Sequence, residues 1–435
     1  MTPPAVSPPL TRRRIPAAEI LFLFALATLA AGLFAFGVAA ALRLLHANLL
    51  QQNSWLFGFD ARRVLADTLD PASNVRPNIH PLYTTFAKPA ARLLQRAGMA
   101  PNLSAIVLNA GLVALAAILC GLYGRLRGLP PAEALLLAGL FAASPVTLAI
   151  AAIVETQAWV VFSLWWVLIV AALTLKLADP SRRRTLALHA AWFISGLFLY
   201  GITNLYAVQA ALLHAAARRG AVARRAAGSL LFALALLALG LAASCATGAY
   251  MDVRHEFWIV TPSARGGSLS WILLRSLANF LLCSVSLPIQ GRSLDPNPGI
   301  PGEWILSFPR LAYSPLGWVL AGLWTAWLLA AARAALRAGD PPVRRLALGQ
   351  AACVGFFIVF HCFYYVPWEG LWLYTPAVVP ALVAFQVPLL ARVAAAPPRR
   401  RLALRLALLL FIALLALRHA RFLLALPEIF APVWR

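Results

Sequence analysis

Between residues 46 and 80 the chain places three aspartates (Asp60, Asp67, Asp70), three arginines (Arg62, Arg63, Arg76) and two histidines (His46, His80), although charged residues make up only 12% of the whole. Carboxylates beside guanidinium groups are equipped to handle protons and anions. Over 59–69 the spacing predicts a short helix: Asp60, Arg63 and Asp67 stand at i, i+3 and i+7, and Arg63 and Asp67 form an i,i+4 pair. Trp55, Phe57 and Phe59 just before it read as interfacial anchors. Two readings are open for this helix. It is either a solvated amphipathic helix lying apolar side down on the membrane, or it turns Asp60 or Asp67 into a cavity at the membrane edge. From Pro71 to Pro81 the prolines exclude regular helix. That stiff stretch holds Arg76 and His80 in a way that suits recognition of an anionic group; the plainer reading of His80 is a loop residue.

Two further clusters carry polar chemistry. Tyr250–Trp258 alternates charges with aromatics and contains Asp252, Arg254, His255 and Glu256. It suits a sugar or phosphate, and equally an ordinary surface element. The second cluster runs from His361 to Tyr374 and includes Glu369. Its aromatics read as an interfacial belt, or else His361, Glu369 and Tyr374 close the same cavity as the first loop.

These clusters are punctuation in a very apolar chain. Of 435 residues, 62% are hydrophobic, and the mean hydropathy is +0.80. A membrane span needs roughly 20 mainly apolar residues, and such runs recur. The expectation is an all-α polytopic membrane protein with about eleven spans: 17–45, 103–122, 132–150, 155–176, 186–202, 203–217, 226–247, 314–336, 346–366, 371–391 and 402–424. Ser144-Pro145 and Thr203-Asn204 are breakers within or between them. Residues 1–16 read as a disordered cytoplasmic tail and 17–435 as a single transmembrane domain. The first apolar run is too long for the core of a cleaved signal peptide and is expected to stay. Residues 269–287, with Arg275 in the middle, read as an interfacial helix.

The net charge of +23 is mainly a topology signal. With the N-terminus in the cytoplasm, 22 of the 37 basic residues fall at cytoplasmic helix ends, against four of the 14 acidic ones. Two long loops, about 46–102 and 248–313, then lie outside. All but two of the basic residues are arginine, a bias that points to a GC-rich genome. They are scattered through short loops, which excludes a nucleic-acid-binding domain. The five cysteines have no metal-ligand spacing and imply no disulfide framework.

An acid in the first outer loop, a surface helix and a Pro-rich His80-Pro81-Leu82-Tyr83 stretch before the second span together resemble the GT-C class of membrane glycosyltransferases. That class includes bacterial protein O-mannosyltransferases and aminoarabinose transferases. The likeness continues through the paired helices around Ser144-Pro145 and Glu155 and through Gly196…Thr203-Asn204, over about the first half of the chain. It implies transfer of a sugar from a polyprenyl-phosphate donor to a lipid, glycan or protein acceptor on the extracytoplasmic face of the bacterial inner membrane. The family's first-loop acid corresponds to Asp60 and its second acid to Glu155. Glu369…Tyr374 resembles an acid-x₄-Tyr pattern of some bacterial relatives. Two departures stand out: Ala61 follows Asp60 where many members carry a second acid, and His80 stands where proline or lysine is commoner.

On that resemblance Asp60 is the base for the acceptor, worth roughly 10²–10⁴-fold. Glu155 is an electrostatic or acceptor-binding residue; its plain alternative is a helix-end acid reaching water. Arg62, Arg63, Arg76, His80, Arg254, His255, Glu369 and Tyr374 are the candidates for the donor phosphate and substrate. No cofactor is required; a divalent metal is compatible with Asp60, Glu155, Asp252 and His255, but nothing in the spacing demands it. A transporter or flippase, an O-antigen-type polymerase or ligase, and a non-catalytic relative are the alternatives. Span interiors nearly free of charge, with the acids gathered at one face, favour surface chemistry over passage.

Overall fold

The computed structural model describes residues 16–50, 54–56, 61–73, 80, 82–177, 182–218, 220–246, 268–296, 304–308, 310–363 and 374–433. Most of these residues are helical. Among the described residues, eight helices are long and apolar enough to cross a bilayer: α1 (Ala17–His46), α4 (Pro101–Leu126), α7 (Gln157–Lys176), α8 (Arg182–Ile202), α10 (Val222–Ala246), α12 (Pro315–Leu336), α13 (Pro341–Phe363) and α16 (Pro398–Leu424). The pair α5 (Pro131–Ala143) and α6 (Pro145–Ala152) makes a ninth if taken as one span bent by 60°. The chain is therefore a multi-pass helical membrane protein.

The other two expected spans fall on shorter apolar helices. Residues 203–217 become a 3₁₀ turn, Asn204–Tyr206, followed by α9 (Ala207–Ala217). At about 1.5 Å per residue, the 11 residues of α9 are only half of a bilayer core long. The described part of the expected span 371–391 holds α14 (Val379–Ala384) and the start of α15 (Val387–Ala394), each with a proline in its first turn. The expected interfacial helix is α11 (Leu269–Leu277), which runs on into a π-helical turn, Ala278–Cys283.

Close approach of small residues builds the centre. A Cβ on Gly37 of α1 would lie 2.8 Å from the Ala151 carbonyl oxygen, and one on Gly121 of α4 would lie 2.7 Å from Leu26 of α1. With no water to drive apolar helices together in lipid, such contacts supply the packing.

The bundle has two chemically distinct ends. At the basic end Arg125 of α4 pairs with Glu19 of α1, and Arg405 of α16 pairs with the fully buried Glu133 of α5 at 2.7 Å. At the other end Arg43 of α1 pairs with Glu428, and the two long loops meet. Strand β1 (Ser54–Leu56) from the first loop pairs in parallel with β3 (Trp304–Ser307) from the second. β3 also pairs antiparallel with β2 (Ser293–Pro296). The first loop adds helices α2 (Ala61–Leu69) and α3 (Tyr83–Arg96). Neither the sheet nor α3 follows from the apolar pattern.

Candidate active site

The loop end of the bundle carries a buried polar cluster built from two breaks in the helical pattern and two helices of the first loop. The first lies between α6 and α7. Chain that leaves a helix in an apolar bundle exposes backbone groups that must find partners. Asn109, a polar residue within the apolar run of α4, supplies them. Its Nδ2 donates to the Ile150 carbonyl at 2.6 Å, with Ala151 and Ile153 carbonyls at 3.4 Å. Its Oδ1 accepts the Glu155 backbone N–H at 3.3 Å. Glu155 is thereby fixed at the mouth of α7, only 3% exposed. Its Oε1 accepts both the backbone N–H of Thr156 (3.0 Å) and the Thr156 hydroxyl (2.9 Å).

The second break ends α8. Leu82 N–H donates to the Gly201 carbonyl at 2.7 Å. His80 Nδ1 lies 2.6 Å from the Ile202 carbonyl, with the Thr203 hydroxyl 3.3 Å away. A carbonyl only accepts, so the His80 proton sits on Nδ1. Gly201 is required at this seam, since a Cβ there would lie 2.7 Å from Leu82 Cβ.

The third and fourth elements are α2 and the start of α3. The expected Arg63–Asp67 pair forms, at 3.3 Å, with both side chains nearly buried. Asp67 Oδ1 accepts the Ser73 hydroxyl at 2.6 Å. The turn bearing Ser73 is held by Lys88 of α3, which donates to the carbonyls of Pro71 and Ser73. Asp67 is 3% exposed and shares its side of α2 with Val64 and Thr68, so the acid of α2 does not stand in water. Thr68 donates its hydroxyl to the Val64 carbonyl (2.7 Å), which leaves its oxygen to accept from the Tyr83 hydroxyl at 2.8 Å.

Tyr83 is the hub. It is buried, its ring meets His80 (6.5 Å) and Trp159 (6.4 Å) edge-on, and Phe86 on the same helix stacks on Phe198 at 4.3 Å. Burial raises the Tyr83 hydroxyl well above the ordinary tyrosine range; the nearby Glu155 and Asp67 carboxylates push it further, while Arg63 opposes them. The same electrostatics ties Glu155, Asp67 and Arg63 to one spot. Residues that sequence reasoning nominated separately, Glu155, Arg63 and His80, thus share one cluster with Asp67.

Other candidates lie elsewhere. Arg62 is one residue from Arg63, hence about 100° around the helix. It faces away, exposed, and lines an open hollow of about 290 Å³ with Asp70 and Asn102. Tyr374 packs against His361 with ring centroids 4.4 Å apart. His361 stacks on Phe280 of the π turn and meets Phe357, which meets Tyr206 at 5.3 Å. Tyr206 donates to Gln157 Oε1 at 3.4 Å, beside Glu155. An aromatic rail therefore links Tyr374 to the cluster. Asp60, Arg76, Asp252, Arg254, His255 and Glu369 lie outside the described residues, as do residues 1–15 of the expected tail. Among the described residues, no group of three or more His, Cys, Asp or Glu side chains is placed to hold a metal.

Sequence reasoning missed Asn109 and gave Thr68 and Thr156 no role. The one signal for Asn109 was its isolation: an amide within an apolar span must find a partner in its own bundle. Compared with protein-family models, with curated proteins and with solved structures, the chain matches none.

Proposed function

We propose that this protein is a membrane glycosyltransferase that moves a sugar from a polyprenyl-phosphate donor to an acceptor on the extracytoplasmic face. The observation that carries the reading is the pair of buried carboxylates, Asp67 and Glu155, gathered with Arg63 around Tyr83 at the loop end of the bundle. An acid left in an apolar bundle costs roughly 2.5–3.5 kcal/mol at mid-membrane, and a glutamine would satisfy Thr156 nearly as well. A carboxylate at Glu155 is better explained by chemistry than by packing.

In this reading Asp60 takes the proton as the acceptor O–H or N–H bond breaks and the new bond to the sugar carbon forms. The bond from that carbon to the donor phosphate breaks, and the polyprenyl phosphate leaves with the electron pair. Arg63, Arg76, His80, Arg254 and His255 meet the growing negative charge. His80 does so through Nε2 only as the doubly protonated imidazolium, because its Nδ1 proton is given to Ile202. Glu155 orients the acceptor, and Glu369 and Tyr374 close the donor side. Arg62 faces elsewhere and is assigned to the loop's outer surface.

The test is mass spectrometry of cell-envelope glycans and lipids from cells with and without the gene, complemented by wild type, Asp60→Asn or Glu155→Gln. The expected result is loss of one glycan modification on deletion, restored by wild type alone. An envelope unchanged by deletion would sink the transferase reading. Full restoration by Asp60→Asn would leave that reading standing and remove Asp60 as its base.

A further inference from the structure

A second cavity lies at the opposite, basic end of the bundle, between α8, α9 and α10. It measures about 400 Å³ and is lined by His189, Trp192, His214, Arg218, Gly228 and Phe232, among others. From His189 to Ile202 is 13 residues of helix, about 20 Å, so this cavity is remote from the carboxylate cluster.

Its construction follows from the sequence. Farther along, α8 and α10 touch: a Cβ on Gly196 would lie 2.8 Å from Leu236, and one on Gly240 only 1.9 Å from the Tyr200 ring. Towards the basic end bulky rings hold the helices apart. Trp192 donates its indole N–H to Thr174 of α7 at 3.0 Å and stands edge-on to His214 at 4.9 Å. His214 stacks on Phe232 at 4.5 Å and is fixed by Ser229 at 2.9 Å. Arg218, one turn beyond His214, lays its guanidinium over Gly228, where a Cβ would come within 2.8 Å of Nη1. His189 closes the other side and is exposed, as is Leu231 on the rim.

The charge balance is one-sided. From residue 182 to 246 there are seven arginines and no aspartate or glutamate. Beside the cavity α10 presents Leu230, Leu231 and Leu234, each more than half exposed, to its surroundings. A guanidinium and an imidazole at a helix end, a ring-lined slot and a leucine face next to it match a molecule with an anionic head and apolar tails. Basic pockets between membrane helices bind phosphate-bearing lipid heads by this logic.

We propose that the α8–α9–α10 cavity is a binding site for an anionic phospholipid. Arg218 grips the phosphate as a two-pronged donor, His189 adds a second contact, and the acyl chains run along the leucines of α10. Gly228 serves as the notch that lets the guanidinium lie flat against the helix.

The test uses the full chain purified from vesicles of equal parts phosphatidylglycerol and phosphatidylcholine, with bound lipid counted by native mass spectrometry. The wild type is expected to retain phosphatidylglycerol over phosphatidylcholine. Arg218→Gln is expected to weaken that retention about tenfold, the scale of one charge-assisted contact. Gly228→Leu keeps every charge but displaces the guanidinium, and is expected to do the same; it decides the matter if Arg218→Gln does not fold. Arg333→Gln, an exposed arginine ending α12, should change nothing. Equal retention of both lipids, or Arg218→Gln and Gly228→Leu variants that retain phosphatidylglycerol as well as Arg333→Gln, would overturn the proposal. So would full displacement by inorganic phosphate at the same concentration, which would reassign the site to a soluble anion.

Discussion

Asn109 donates its side-chain amide to the Ile150 carbonyl at 2.6 Å, from the middle of one apolar helix to the frayed end of another. Through its oxygen the same residue holds the Glu155 backbone. Asn109→Leu strands both partners in an apolar setting, at a cost of about 1–3 kcal/mol. Thermal unfolding of the purified protein in detergent measures this. An unchanged midpoint would mean that water, not Asn109, satisfies the break.

The Arg63–Asp67 pair separates structure from chemistry. Removing one partner of a buried ion pair costs about 3–5 kcal/mol, whereas replacing both by apolar residues of similar size is often neutral. Arg63→Met and Asp67→Leu are therefore each expected to destabilise, and the double variant to recover most of the loss. If the pair serves sugar transfer, the double variant folds but does not restore the missing envelope glycan. A double variant that restores it removes both residues from the site.

Gly201 and Leu82 form a seam that can be tested by repair. Gly201→Val forces its Cβ against Leu82, and overpacking of this kind costs about 1–3 kcal/mol. Adding Leu82→Ala should return part of that stability. A double variant no more stable than Gly201→Val would show that the loss comes from the backbone of α8, not from the seam.

Tyr83 sets an alkaline limit. An unfolded tyrosine ionises near pH 10, while burial keeps the folded hydroxyl protonated above that point. The unfolded chain then loses its proton first. The stability from this group is full below about pH 10 and falls as the pH climbs towards the raised folded value. Melting temperatures measured from pH 8 to 11 should drop on the alkaline side, and Tyr83→Phe should soften the drop. Superimposable curves would show that Tyr83 is not the limiting group.

Much of this was legible because lipid makes sequence literal. Long apolar runs became α1, α4, α7 and α16 nearly end to end, and Ser144-Pro145 marked the bend between α5 and α6. The i,i+4 spacing of Arg63 and Asp67 became an ion pair. What it left open was depth: the spacing did not choose between a solvated helix and one turned towards a cavity, and α2 is packed so that Asp67 is buried. Arg62 and Arg63 looked equivalent until the step of about 100° between neighbouring helix residues sent them to different faces. Strands of three and four residues, paired across 250 positions from Ser54 to Trp304, leave no periodic trace. The partner of Asn109 is 41 positions away, a distance over which local spacing says nothing.

The parallel ladder between β1 and β3 constrains how the molecule is made. Ser54 sits opposite Trp304, 250 positions later in the chain. At about 5–20 residues per second of synthesis, the first loop waits roughly 12–50 seconds, already threaded across, before its partner strand exists. During that interval the segment from 54 to 56 is an unclaimed edge. Slowing translation of the middle of the gene should lengthen its exposure to proteases and chaperones on that side of the membrane, while leaving the finished protein unchanged.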